Sequence, residues 1–232
     1  MSRVAVVTGA SRGIGYAVAA KLVASGYFVI GTTRTLADTQ QIGDVSGPFC
    51  AGRLEWLPLD VRSLEGVEAF AKALGRLSDH VDILVNNAGV IGTERTVEEE
   101  CVAEWDDIVA TNLRGAFLVS KVMIPFLRRS SSGVIVNVSG GLGSFFSGMP
   151  GGMHSGYRIS KVGLNALTVI LAEELRVGGI SVIAVDPGWV RTRLGGVDAP
   201  RGAEDAADDI ISAAMHSEFS GALVRFGTPV PW

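Results

Sequence analysis

Cysteine and histidine are scarce in this sequence: Cys50 and Cys101, with His80, His154 and His216, in 232 residues. The cysteines lie far apart, and no histidine stands at ligand spacing from them or from another histidine. That pattern offers neither a disulfide framework nor a metal site. Runs of one charge sign are also missing. The 20 basic and 24 acidic residues, for a net charge of −4, are interspersed, which leaves no basic face for nucleic acid or anionic lipid. No uninterrupted apolar run reaches the roughly 18 residues of a membrane span. The apolar stretch near Met1 is too short for a secretory leader and passes at once into glycine motifs. These absences predict a soluble cytoplasmic protein that acts on small molecules, with no metal, membrane or nucleic-acid partner.

Hydrophobic residues are plentiful, at 47%. A chain of this length can bury one substantial core with them, so residues 1–232 read as a single domain. Short β-branched runs at 4–8, 27–33, 54–59, 81–87, 133–139, 180–185 and 221–226 alternate with amphipathic segments at 14–25, 36–44, 64–76, 102–129, 156–177 and 203–215. Such alternation builds βαβ units. The strands are almost continuously apolar, as strands covered on both faces must be. The expected fold class is therefore α/β: a doubly wound, seven-stranded parallel sheet with helices on both faces. The least regular stretches are 45–53, 90–100, 140–154 and 189–202. Three of them follow predicted strands, and ligands of open α/β sheets bind outside the carboxyl ends of strands.

The first strand runs directly into TGASRGIG, residues 8–15. Gly9, Gly13 and Gly15 allow a tight turn, let backbone approach a phosphate, and open a helix whose N–H groups point at negative charge. In this strand-turn-helix setting the stretch reads as a dinucleotide cradle, although glycines alone also make plain turns. Dinucleotide folds commonly place an acidic residue at the end of the second strand, to grip ribose hydroxyls. Here that position holds Thr33 and Arg34. An arginine pairs with a 2′-phosphate that a carboxylate would repel, and Arg12 reaches the same side. The pattern favours NADP(H) over NAD(H); two solvated arginines remain the alternative.

Within SGYRISKVGLNAL, residues 155–167, Tyr157 precedes Lys161 by four positions. On a helix the two side chains share a face. A nearby ammonium favours the phenolate and is expected to lower the Tyr157 pKa, making the phenol a usable proton donor. By spacing alone the pair is a rare chance occurrence, and a coincidence on a solvated face is the alternative.

Seven motifs in order make the chain similar to the short-chain dehydrogenase/reductase family in its compact, single-domain branch: TGASRGIG, LDV at 59–61, NNAG at 86–89, TNLRGAF, VNVSGG, YRISK and DPGWVRT. The resemblance implies a Rossmann fold and a catalytic tetrad of Asn112, Ser139, Tyr157 and Lys161. Tyr157 would be the general acid and Ser139 would orient the substrate oxygen. Lys161 would tune the phenol and hold the nicotinamide ribose, and Asn112 would distort its helix to position a water. The cofactor residues implied are Gly9, Ser11, Arg12, Gly13, Ile14, Gly15, Thr33, Arg34, Asp60, Val61, Asn87, Ala88, Gly89, Tyr157, Lys161, Pro187, Gly188, Val190 and Thr192.

The glycine-rich interval between Ser139 and Tyr157 suggests a substrate site formed by Gly141, Phe145, Phe146, Met149 and Trp189, suited to an apolar or aromatic carbonyl compound. The phenylalanines could instead pack on the domain or a neighbouring subunit. PGWVRTRLGG and the terminal PVPW most resemble carbonyl-reductase-like members. The implied activity is NADPH-dependent reduction of a ketone or aldehyde. NADP+-dependent alcohol oxidation and non-catalytic NADP(H) sensing are the alternatives, and the implied assembly is a homodimer or homotetramer through helices 102–129 and 156–177. The acidic EEE at 98–100 reads as a solvated approach to a helix.

Overall fold

In a computed structural model, residues 3–35, 52–146 and 152–232 are described. The expected helix at 36–44, most of the 45–53 loop, and Met149 lie outside the described residues. Strand β1, Val4–Val7, sits at the centre of the sheet and is buried throughout. Its side chains alternate between two separate cores, as the period of a strand requires. Val4 and Val6 join Phe28 and Ile30 of β2 (Phe28–Thr33), and Ala5 and Val7 join Val29 on the other face.

The first core is closed by α2 (Leu64–Leu74), α4 (Gly115–Leu127) and α5 (Ser155–Leu175), and the second by α1 (Gly13–Ala24) and α6 (Ala203–Ala214). The order of the described strands is β3-β2-β1-β4-β5-β6-β7-β8, with β3 at Arg53–Pro58, β4 at Ile83–Asn86, β5 at Val134–Val138, β6 at Ser181–Asp186, β7 at Leu223–Arg225 and β8 at Thr228–Val230. The first seven pair in parallel. The order reverses between β1 and β4, which opens a crevice at the carboxyl edge.

Two differences from the sequence expectation have local causes. The sheet has an eighth strand, β8 (Thr228–Val230), antiparallel to β7. Its presence is due to a two-residue turn at Phe226-Gly227, where φ is +52° and +75°, the backbone of a tight hairpin. Pro229 obscures β8 in the sequence, but an edge strand tolerates proline. The segment 102–129, expected as one helix, is split by a π-helical turn at Ala110–Arg114 between α3 (Val102–Val109) and α4. By length and apolar content Val102–Leu127 could cross a membrane, yet Ile108, Leu118, Val119, Met123 and Leu127 are buried in the domain.

Candidate active site

A cleft of about 850 Å3 runs along the carboxyl edge of the sheet. At one end the glycine turn presents Gly9, Ser11, Arg12, Gly13 and Ile14 to it, with Thr33 and Arg34 alongside. Gly13 has φ of +57°, and a Cβ there would come within 3.2 Å of Thr192 Cγ2. Gly15 is placed differently from the expectation. It lies under the turn, outside the cleft lining, where a Cβ would meet Asn87 Nδ2 at 2.4 Å and Gly9 O at 2.5 Å. Asn87 explains that crowding: its Nδ2 donates to the carbonyls of Thr8 at 2.9 Å and Gly9 at 3.1 Å, and so fixes the turn to β4. Asn86 behaves likewise inside the sheet, donating to Ser120 Oγ at 3.0 Å and Asn137 Oδ1 at 2.9 Å.

Asp60, Val61, Ala88 and Gly89 form the floor of the cleft next to this turn. Asp60 is clamped by Arg62, which donates from Nη2 at 2.7 Å and from Nε at 3.0 Å. Those bonds lower the Asp60 pKa. Arg62 also reaches Asp107 of α3. The arginine lines the cleft and was not singled out in the sequence; it follows the LDV motif directly, and only the fold reveals its second partner. Arg12 and Arg34 are exposed at this end. Open glycine backbone, two exposed guanidinium groups and no carboxylate at the end of β2 together fit a dinucleotide bearing a 2′-phosphate.

At the other end stand Ser139, Tyr157 and Lys161, with Pro187, Gly188, Val190 and Thr192 along one wall. Ser139 follows β5, while Tyr157 and Lys161 project from the first turns of α5. Glu100 helps to hold that helix start: it accepts from Ser155 Oγ and from Gly156 N, the latter at 3.2 Å. The expected solvated role of residues 98–100 is thereby corrected for Glu100, which supplies unpaired helix donors with an acceptor. Lys161 Nζ donates to Val138 O at 2.7 Å. Burial raises the Tyr157 pKa to about 12, with Asp186 adding to the rise. Burial also lowers that of Lys161 to about 8, partly opposed by Asp186. The expected lowering of the phenol by the ammonium is thus overturned in the free protein, because desolvation dominates for both groups.

Asn112 does not line the cleft. It sits in the π turn, 1% exposed. Its amide exchanges bonds with the backbone of Val90, accepting from N and donating to O at 2.8 Å each, and also donates to Ser160 Oγ at 3.0 Å. It positions the loop after β4 and the start of α5 from behind. π turns of this kind often mark functional sites.

Of the expected substrate residues, Gly141 and Trp189 border the cleft. Phe145 and Phe146 do not, and they are 68% and 74% exposed. The 3-10 turn Gly141–Gly143 presses the chain onto α5, and Phe146 N then bonds to Trp232 O at 3.0 Å, which directs both rings outward. Phe146 borders a smaller cavity of about 200 Å3 beside Asp186 and Arg225. Leu142, Asp186, Arg193, Leu194 and Arg225 also line the cleft, and sequence spacing gives no sign of them. Among the described residues no cluster of three metal-ligating side chains occurs.

Residues 3–200 match the family described as short chain dehydrogenase. The chain is 37% identical to 3-oxoacyl-(acyl-carrier-protein) reductase FabG of Vibrio cholerae, over 83% of this chain and 75% of that protein. It is 36% identical to a monensin polyketide synthase putative ketoacyl reductase of Streptomyces virginiae, over 98% and 86%. Among solved structures, the NADPH-bound carbonyl reductase from chicken fatty liver superposes with a TM-score of 0.89 at 26% identity, covering 100% of this chain and 99% of that one.

Proposed function

The chain belongs to the short-chain dehydrogenase family, and on that premise we propose that it is an NADPH-dependent reductase converting a ketone or aldehyde to an alcohol. The observation that carries this reading is a single cleft with a glycine turn flanked by Arg12 and Arg34 at one end and Ser139, Tyr157 and Lys161 at the other. Relatives named as 3-oxoacyl and ketoacyl reductases, and a structural neighbour named as an NADPH-bound carbonyl reductase, support it.

When bound, the nicotinamide cofactor supplies a hydride to the carbonyl carbon. Tyr157 donates its hydroxyl proton to the carbonyl oxygen as negative charge develops there. Ser139 orients that oxygen, and a charged Lys161 stabilises the phenolate left behind. Arg12 and Arg34 hold the 2′-phosphate, while Gly9, Ser11, Gly13 and Ile14 receive the pyrophosphate on open backbone. The same site runs alcohol oxidation in reverse, and the supply of reduced cofactor sets the direction taken here as reduction. A sensor without chemistry would have no use for the buried Ser139–Tyr157–Lys161 grouping.

The outer faces of α4 and α5, which expose Phe117, Val169 and Ile170, are the surfaces for a homodimer or homotetramer in this proposal. The deciding experiment follows NADPH and NADH oxidation with a panel of ketones, aldehydes and 3-oxoacyl thioesters. Activity with NADPH on at least one class is the expected result, and inertness toward all of them would refute the proposal.

A further inference from the structure

Strand β6 ends at Asp186, and the chain leaves it through Pro187 and Gly188. Proline has no N–H to join a ladder, and Gly188 has φ of +75°, so the sheet loses its hold on the chain here. From Pro187 to Arg201 there is neither a helix nor a strand of the sheet. Yet Pro187, Gly188, Trp189 and Val190 form a wall of the cleft. A wall made of irregular backbone must be held in place by bonds from outside it.

Arg201 supplies most of them. Its backbone closes an isolated parallel bridge with Val190, in which Arg191 N donates to Arg201 O at 2.8 Å and Arg201 N donates to Trp189 O at 3.4 Å. Its guanidinium donates from Nη1 to Pro187 O, while Nη2 lies 2.8 Å from Asp209 Oδ2 of α6. The same group stands 4.3 Å from the centre of the Phe226 ring, at the turn of the β7–β8 hairpin. Gly188 is seated against both residues: a Cβ there would come within 3.1 Å of Phe226 Cζ and 3.3 Å of Arg201 Cδ. A guanidinium is a rigid planar fork, so anchoring one arm on Asp209 aims the other at the Pro187 carbonyl. One side chain thus ties the wall to α6 and to the terminal hairpin.

We infer that Arg201 is a positioning residue for the nicotinamide half of the cofactor, acting through Pro187, Gly188, Trp189 and Val190. The inference rests on the reductase reading, which places the nicotinamide beside Ser139, Tyr157 and Lys161 and the 2′-phosphate beside Arg12 and Arg34. An arginine kept only for the fold would stabilise the protein and treat the two halves of the cofactor alike.

The test is a titration of wild type and Arg201→Met with two ligands, NADPH and adenosine 2′,5′-bisphosphate, which carries the phosphorylated adenosine without the nicotinamide. Methionine keeps an unbranched stem and loses the fork. The dissociation constant for NADPH should rise by about tenfold, and that for the bisphosphate should stay within about twofold. If Arg201→Met does not fold, Arg201→Lys keeps the charge without the fork and enters the same titrations. Equal losses for both ligands, or no loss for NADPH, would overturn the inference, as would a lowered thermal midpoint with both dissociation constants retained. The readout does not depend on turnover. A wild type that binds NADPH yet reduces no carbonyl compound would therefore refute the reductase reading alone, and one that binds neither ligand would overturn both.

Discussion

The ammonium group of Lys161 lies 5.4 Å from the centre of the Tyr157 ring and is held there by the carbonyl of Val138. The two groups titrate in opposite directions from their ordinary values, Tyr157 upward to about 12 and Lys161 downward to about 8. Below about pH 8 the phenol is protonated and the amine charged, the pair of states that reduction requires. Above it Lys161 loses its proton first. The kcat/KM for reduction should hold steady up to about pH 8 and fall beyond it, and Lys161→Met should lower the rate and remove that step. A pH–rate profile of both proteins from 6 to 10 checks this, and a flat wild-type profile would contradict it.

Replacing Tyr157 by phenylalanine removes the acid and keeps the ring that fills the buried space. Turnover should drop by about a hundredfold to ten-thousandfold, with NADPH affinity close to wild type. Steady-state kinetics and fluorescence titration of the cofactor measure the two effects separately. An active Tyr157→Phe protein would rule out the proposed acid.

Arg34→Asp removes a partner for a 2′-phosphate and installs an acceptor for ribose hydroxyls. The loss of one charge-assisted bond is worth about 1.5–3 kcal/mol, or about ten- to a hundredfold in relative efficiency toward NADH. Efficiencies with both cofactors in both proteins give the answer. A wild type that already prefers NADH would defeat the assignment whatever the variant does.

Trp189 borders the cleft, with its indole Nε1 donating to Gly195 O at 2.7 Å, whereas Phe145 does not line it. Trp189→Ala should raise KM for a bulky aromatic ketone by about five- to tenfold, the equivalent of about 1–1.4 kcal/mol of lost contact. Phe145→Ala should leave it within about twofold. Paired kinetics on one small and one bulky ketone distinguish the two rings, and a selective loss in Phe145→Ala instead would reverse their assignment.

Gly143→Ala forces a methyl group against Lys161 and should destabilise the protein by about 1–3 kcal/mol, as well as disturb the catalytic amine. At Gly178 nothing lies within 4 Å of an added Cβ, so Gly178→Ala should leave the thermal midpoint unchanged or raise it slightly. Thermal unfolding of both variants provides the comparison, and equal midpoints would show that the loop is not seated on α5 as described.

What could be read in the sequence was what neighbouring residues encode together. The glycine turn, the Tyr157–Lys161 spacing and the alternation of strands with helices all lie within single short segments, and the structure brings these segments to one edge of the sheet. Residues whose role depends on distant partners escaped notice. Arg201 meets Pro187 across 14 positions and Glu100 meets Ser155 across 55, and neither pairing leaves a periodic signal. Phe145 and Phe146 were misjudged for a related reason. Their apolarity suggested a pocket wall, while a three-residue turn before them and the chain terminus beside them decide the direction they face.

The π turn at Ala110–Arg114 adds one residue to a helical path that would otherwise run without interruption from Val102 to Leu127. Point substitution and deletion should therefore have very different consequences there. Deleting any one residue of the turn would restore a uniform α-helix and rotate everything on its amino-terminal side by about 100° relative to α4. Trp105, against which Gly156 packs, and Ile108, which crowds Gly92, would swing away from those contacts together. A helix more regular by the loss of one codon would thus unseat the start of α5 and swing Asp107, which lines the cleft, away from Arg62.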